Sequence, residues 1–225
     1  LSQAPDCECL HEPHPRLIEE ATRYRYGTLD SGEIANLLRV TRPDPRDAKT
    51  YGESNNKLAL LVPVLEDAFP DSRYLWLVRD GRSFVSSVFQ RGWFSANEYG
   101  AGVTPWARWR VQGDKLGLVD AREWENWSAF ERCCWVWAYV NRTIAADLDA
   151  VGPERWRRFR IEGLSRALPD LCEFLGITPV NFVIRRANRR TTDGAAEGST
   201  NLVPRVETWY DWSREERGIF QKHCG

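Results

Sequence analysis

Leu58, Leu61, Val62, Leu65 and Phe69 recur three and four residues apart, the period of one helix face. They predict a helix over 54–69, capped by Ser54, Asn55 or Asn56 and stopped by Pro70-Asp71. The next run, 73–78, is continuously apolar and short, which reads as a buried strand. A second helix starts near Arg82 or Ser83 and presents Phe84, Val85, Val88 and Phe89. Helix, strand, turn, helix is the grammar of an α/β fold with a parallel sheet.

Upstream, residues 7–10 read as a short strand, the Pro-punctuated "HEPHP" follows, and 16–27 can form a helix. "TRPDPRD" at 41–47 is a loop by its prolines. Downstream, 93–127 is irregular and holds Trp93, Trp106, Trp109, Trp124 and Trp127. A long helix over 128–149 carries Phe130, Cys134, Trp137, Val140, Ile144 and Leu148 on one side. "WRRFRI" (156–161) reads as another strand, and 168–175 as a short helix ended by Gly176. "NRRTTDGAAEGSTN" is polar and predicts a mobile loop, and Ser213 with Glu216 forms the capping box of a last amphipathic helix. No linker divides the pattern, so 1–225 reads as a single domain.

Composition narrows this. With 225 residues, 42% of them hydrophobic, the chain can bury a sizeable core. The formal net charge is −1, which argues against non-specific nucleic-acid binding and makes any anion site local. No apolar run has the roughly 18–20 residues of a membrane span. The chain begins with Leu and contains no Met, so it is expected to start inside a longer sequence, and a cytoplasmic location is the default expectation. Cys7, Cys9, Cys133, Cys134, Cys172 and Cys224 permit disulfides, but a chain this rich in core residues needs no disulfide scaffold. Cys7 and Cys9, with His11 and His14 nearby, lack zinc-pair spacing, so no metal is expected.

The candidate chemistry lies in "RYLWLVRDGRSFVSSVFQRG" (73–92). Arg79-Asp80-Gly81-Arg82 occupies the strand-to-helix turn, and a helix start offers free N–H groups and a positive dipole end. That combination suits an anion. The competing reading has Arg79 and Arg91 as solvated charges paired with Asp80 or Glu98.

"YGESNNKLALLVPVLEDAFPDSRYLWLVRDGRSFVSSVFQRGWF" (51–94) resembles the central segment of sulfotransferases that use 3′-phosphoadenosine 5′-phosphosulfate (PAPS), most closely the tyrosyl-protein branch and related bacterial enzymes. "ENWSAFERCCWVWAYVNRTI", "RFRIEGLSRALPDLCEFLGI" and "TNLVPRVETWYDWSREERGIF" agree with the family in order. The resemblance implies a three-layer, P-loop-NTPase-like α/β fold with a central parallel sheet flanked by helices. It also implies sulfuryl transfer from PAPS to a hydroxyl or amine of a small-molecule, glycan or peptide acceptor, without a metal. It puts Arg79, Ser87 and Arg91 on the donor's 3′-phosphate, and it makes Glu12, in "CECLHEPHPR", the general base. His11, His14 and Glu53 compete for a part in proton transfer. The family's glycine- and threonine-rich loop for the 5′-phosphosulfate is not in the sequence. Two other readings remain: a nucleotide kinase relative with Arg79 on ATP, and a non-catalytic binding protein on the same fold.

Overall fold

A computed structural model describes residues 3–5, 7–42, 50–95, 98, 103–180 and 208–225. The "NRRTTDGAAEGSTN" loop and most of "TRPDPRD" lie outside them. Along the chain the elements are β1 (Cys7–His11), α1 (Ile18–Arg25), α2 (Ser31–Thr41), β2 (Thr50–Ser54), α3 (Val62–Ala68), β3 (Tyr74–Val78), α4 (Gly81–Phe89), α5 (Pro105–Arg108), α6 (Ala121–Asn126), α7 (Ala129–Val151), β4 (Trp156–Arg160), α8 (Leu168–Leu175) and α9 (Arg214–Cys224).

Both strand pairs are parallel, as the helix–strand alternation predicts. β1 lies on β2 with Cys7 opposite Thr50 and His11 opposite Ser54, while β3 lies on β4 with Tyr74 opposite Trp156 and Val78 opposite Arg160. The mixed α/β class with parallel pairing is present, whereas the expected single central sheet is not shown: among the described residues the ladders form two two-stranded sheets. Among the described residues each strand has one neighbour, and β3 is half-buried rather than fully buried, with Leu77 42% exposed. α8 touches both pairs. Its Cys172 packs in a small apolar cluster with Cys7, Ala4 and Ile177, and its Phe174 ring lies under the Arg157 guanidinium, 4.7 Å away.

α7 is the axis of the main core. It is capped by Ser128, whose Oγ accepts from the Glu131 N–H at 3.1 Å, and it buries Phe130, Cys133, Cys134, Trp135, Val136, Ala138 and Leu148. α3, α4 and α9 pack on it. α9 starts at the predicted Ser213–Glu216 capping box, with both reciprocal hydrogen bonds formed.

Three local readings change. The helix expected over 54–69 is a strand end, a 3₁₀ turn over Leu58–Leu60 and then α3, because Leu61 (φ −123°, ψ 12°) breaks the helix before Pro63 restarts it. The sequence reading also assigned no element to β2 or α2. α2 is capped by Asp30, whose Oδ1 accepts from Gly32 N–H at 2.8 Å, and it buries Ile34, Ala35 and Leu38. Trp124, Trp135 and Trp212 are core, whereas Trp137 is only half-buried.

Candidate functional site

Parallel strands deliver their carboxyl ends to one side, where open α/β sheets bind ligands. β3 ends at Val78 and hands over to Arg79, whose side chain is exposed. α4 starts at Gly81, one residue before the expected Arg82 or Ser83, and Asp80 caps it: its Oδ1 accepts from Ser83 N–H at 3.2 Å. The same carboxylate takes Arg82 Nε at 3.1 Å and Nη2 at 2.8 Å, and the Arg82 pairing holds its acidity below the usual carboxylate range. Glu162, just past β4, accepts the Asp80 main-chain N–H at 2.8 Å, and that bond likewise lowers the Glu162 carboxyl. The helix start is thus neutralised partly by the chain's own acids. Arg160 lies 3.7 Å from both Asp80 and Glu162, whereas Arg79 pairs with neither.

The turn is fixed from below. Trp137 of α7 donates its indole N–H to the Arg79 carbonyl at 3.2 Å. A Cβ on Gly81 would meet Phe220 of α9 at 3.1 Å and Trp137 at 3.2 Å, so glycine is what lets the α4 backbone settle on those two rings. Neither ring was singled out as part of the site by the sequence. Trp137 sits on the apolar face of α7, where its spacing signals core and nothing more.

Ser87 lies on α4, half-buried, eight residues after Arg79, or about 12 Å along a helix axis at its standard rise. Ser86 beside it is 4% exposed, and its Oγ has no partner among the described residues. Arg91 lies beyond the helix that carries Ser87, because α4 ends at Phe89. Arg91 sits in the following turn, its N–H on the Val88 carbonyl, before Gly92 at φ +76°. Among the described residues no hydrogen bond or ion pair engages the side chains of Arg79, Ser87 or Arg91. Glu98 is not Arg91's partner either: it holds Arg110, whose guanidinium also lies 3.6 Å from the Trp93 ring centre.

At the other pair, Glu12 follows β1 directly, half-buried. Its N–H extends the ladder to the Ser54 carbonyl at 2.9 Å, and its backbone stands at φ 44°, a conformation uncommon outside glycine. His11 uses Nδ1 on the same Ser54 carbonyl at 3.1 Å. Glu53 is engaged elsewhere. It grips the buried Arg42 through both oxygens, at 2.7 and 3.1 Å, and takes Asn55 Nδ2 at 3.2 Å. Arg42 in turn donates to the carbonyls of His14 and Pro15, so Glu53 anchors the turn that follows Glu12. No hydrogen bond or ion pair joins Glu12 to Arg79, Ser87 or Arg91 among the described residues.

Beyond β2, Lys57 is 8% exposed and donates to the Trp109 carbonyl at 3.1 Å, with the Trp106 ring centre 5.5 Å away. Burial, helped by Arg110, pushes its amine down to about 8. Among the described residues no group of three or more His, Cys, Asp or Glu side chains converges on a metal position, and no helix is long and apolar enough to cross a membrane. A recess of about 620 Å³ opens beside Arg23, Thr28 and Glu33, at the opposite end of α1 from the Glu12 turn.

No family model matches the chain, and neither does any curated protein. Among solved structures, a sulfotransferase domain from the curacin biosynthetic pathway is similar at 18% identity with a TM-score of 0.43. The match covers 72% of this chain and 56% of that domain, so the chain spans little more than half the length of its neighbour. A superposition this loose carries neither activity nor site across.

Proposed function

We propose that this chain moves a sulfuryl group from PAPS to a hydroxyl or amine acceptor, with the donor's 3′-phosphate held at the Arg79 turn. The observation that carries the reading is Arg79 itself: an exposed guanidinium, unpaired among the described residues, at the carboxyl end of a parallel strand. The turn beneath it is pinned by Trp137 and Glu162. A planar fork of donors suits a phosphate dianion, and charge-assisted hydrogen bonds are the strong ones. In this reading Arg79 reaches along the first turns of α4 toward Ser87, whose hydroxyl supplies a second donor. Arg91 adds charge from the turn beyond.

Sulfuryl transfer leaves the protein two tasks, to position the acceptor in line with sulfur and to take its proton. Glu12, at the end of β1, is the proposed acceptor of that proton. Its turn is braced by the Glu53–Arg42 pair, which fixes a base at a set distance from the sheet. Arg79, Ser87 and Arg91 are thus proposed for the 3′-phosphate and Glu12 for the proton, with no residue assigned to the 5′-phosphosulfate.

Titration calorimetry with 3′-phosphoadenosine 5′-phosphate tests the proposal. Wild type is expected to bind in the micromolar range, and Arg79→Ala to bind on the order of 10- to 100-fold more weakly, the loss of one charged phosphate contact. Tighter binding of ATP, or an unchanged dissociation constant in Arg79→Ala, overturns it.

A further inference from the structure

All six cysteines are free thiols, and two of them meet across a helix pair. α9 packs along α7, and Cys224, the last residue of α9, directs its Sγ to the main-chain carbonyl of Cys134 at 3.4 Å. The Cys224 thiol also hydrogen-bonds with the Cys134 thiol, which pushes the Cys134 thiol up. Cys134 is fully buried, whereas Cys224 is half-buried, so Cys224 is the more accessible residue of the two. The last turn of α9 is held in place beside them. Lys222 Nζ and His223 Nε2 both reach Glu131 Oε1, at 2.8 and 2.9 Å, one turn before Cys134 on α7.

We propose that Cys134 and Cys224 form an oxidisable dithiol, a modification site at which a hydroperoxide converts the α7–α9 contact into a covalent bond. The Cys224 thiolate attacks the O–O bond of hydrogen peroxide, giving a sulfenic acid at Cys224 and releasing hydroxide. The Cys134 sulfur then displaces hydroxide from the Cys224 sulfur as the S–S bond forms. The Cys224 thiol proton, released as the thiolate forms, and the Cys134 proton leave with the two hydroxides as water. Two thiols lose two electrons, and one peroxide becomes two waters. The hydrogen bond with the Cys224 thiol, and then burial, push the Cys134 thiol above its ordinary range, and Cys134 is the fully buried partner, so Cys224 is the sulfur that meets the oxidant first.

The placement gives the bond a consequence. Cys134 stands one turn before Trp137 on α7, and Cys224 one turn after Phe220 on α9. Those two rings are the seat of Gly81 and hence of the Arg79 turn. A disulfide here fixes the two helices at the point where they support that turn. The dithiol stands on its own geometry and does not depend on the sulfuryl-transfer reading.

The test uses the full chain, before and after hydrogen peroxide, digested without reduction and mapped by mass. The expected product is one linked pair of peptides carrying Cys134 and Cys224, two hydrogens lighter than their sum, with two fewer titratable thiols. Closing a loop of this size should raise Tm by about 10 °C, and a thiol reductant should reverse the rise. Cys224→Ser, at a half-buried helix end, is expected to fold and to show neither the link nor the shift. Retention of all six thiols, a link through other cysteines, or sulfinic acid at Cys224 with Cys134 still a thiol overturns the proposal.

Discussion

Glu12 stands at φ 44°, which costs on the order of 1 kcal/mol or more for a residue with a Cβ, and it does so directly after a strand whose ladder it extends. Leu17 and Phe94 share positive φ, so the conformation alone assigns no role. What separates Glu12 is a carboxylate at a strand's carboxyl end, beside a turn braced by a buried ion pair. In an intact enzyme assayed with PAPS and an accepted acceptor, Glu12→Gln should lower turnover about 10²- to 10⁴-fold, the usual range for losing a general base. Affinity for 3′-phosphoadenosine 5′-phosphate should stay within twofold of wild type. Normal turnover in that variant would remove Glu12 from the chemistry. Glu53, its rival by sequence, is spoken for: both its oxygens are on Arg42.

At the scale of elements, the Arg79 turn shows how a strand-to-helix junction is held. Asp80 caps α4, Glu162 ties the cap's N–H to the end of β4, and Trp137 takes the Arg79 carbonyl. Gly81 has no room for a side chain, since a Cβ would meet two aromatic rings at 3.1–3.2 Å. Gly81→Val is therefore expected to destabilise the fold by about 1–3 kcal/mol, as overpacking does, and to weaken nucleotide binding further by shifting Arg79. Denaturant unfolding checks the first effect and calorimetry the second. A Gly81→Val protein as stable as wild type would mean that the rings yield freely. The turn itself was legible in the sequence, because caps and strand ends carry local signals. The rings under it were not, because Trp137 and Phe220 come from elements 56 and 139 residues further along the chain. β2 was hidden for a similar reason: Thr50-Tyr51-Gly52-Glu53-Ser54 has no apolar alternation, and it becomes a strand by pairing with β1.

For the molecule as a whole, a net charge of −1 hides a few buried charges whose state depends on packing. Lys57 is the clearest. Its folded amine, pushed down to about 8 by burial and then by Arg110, lies below the unfolded value of 10.5. Below pH 8 both states hold the proton and the fold carries the full cost of a buried cation. Between pH 8 and 10.5 the unfolded chain binds more protons than the folded one, so stability from this group rises with pH. Lys57→Met should lack that increment, on the order of 3 kcal/mol across the window. Parallel urea titrations of the two proteins at pH 7 and pH 10 measure it, and identical pH dependences would show that Lys57 is not the group responsible.

By itself the sequence determined what depends on near neighbours: the helical faces of α4 and α7, the β3 run, the Ser213–Glu216 capping box, and an arginine at the end of a strand. Only the tertiary structure decided which of the described strands pair. It also decided that Glu53 is an anchor and Arg91 lies off the helix, and that the Cys224 thiol meets the main chain of Cys134, 90 residues away. Periodicity and caps act over one or two turns of chain, so they are written locally. The charge, burial and partner of a side chain are set by residues that only folding brings beside it.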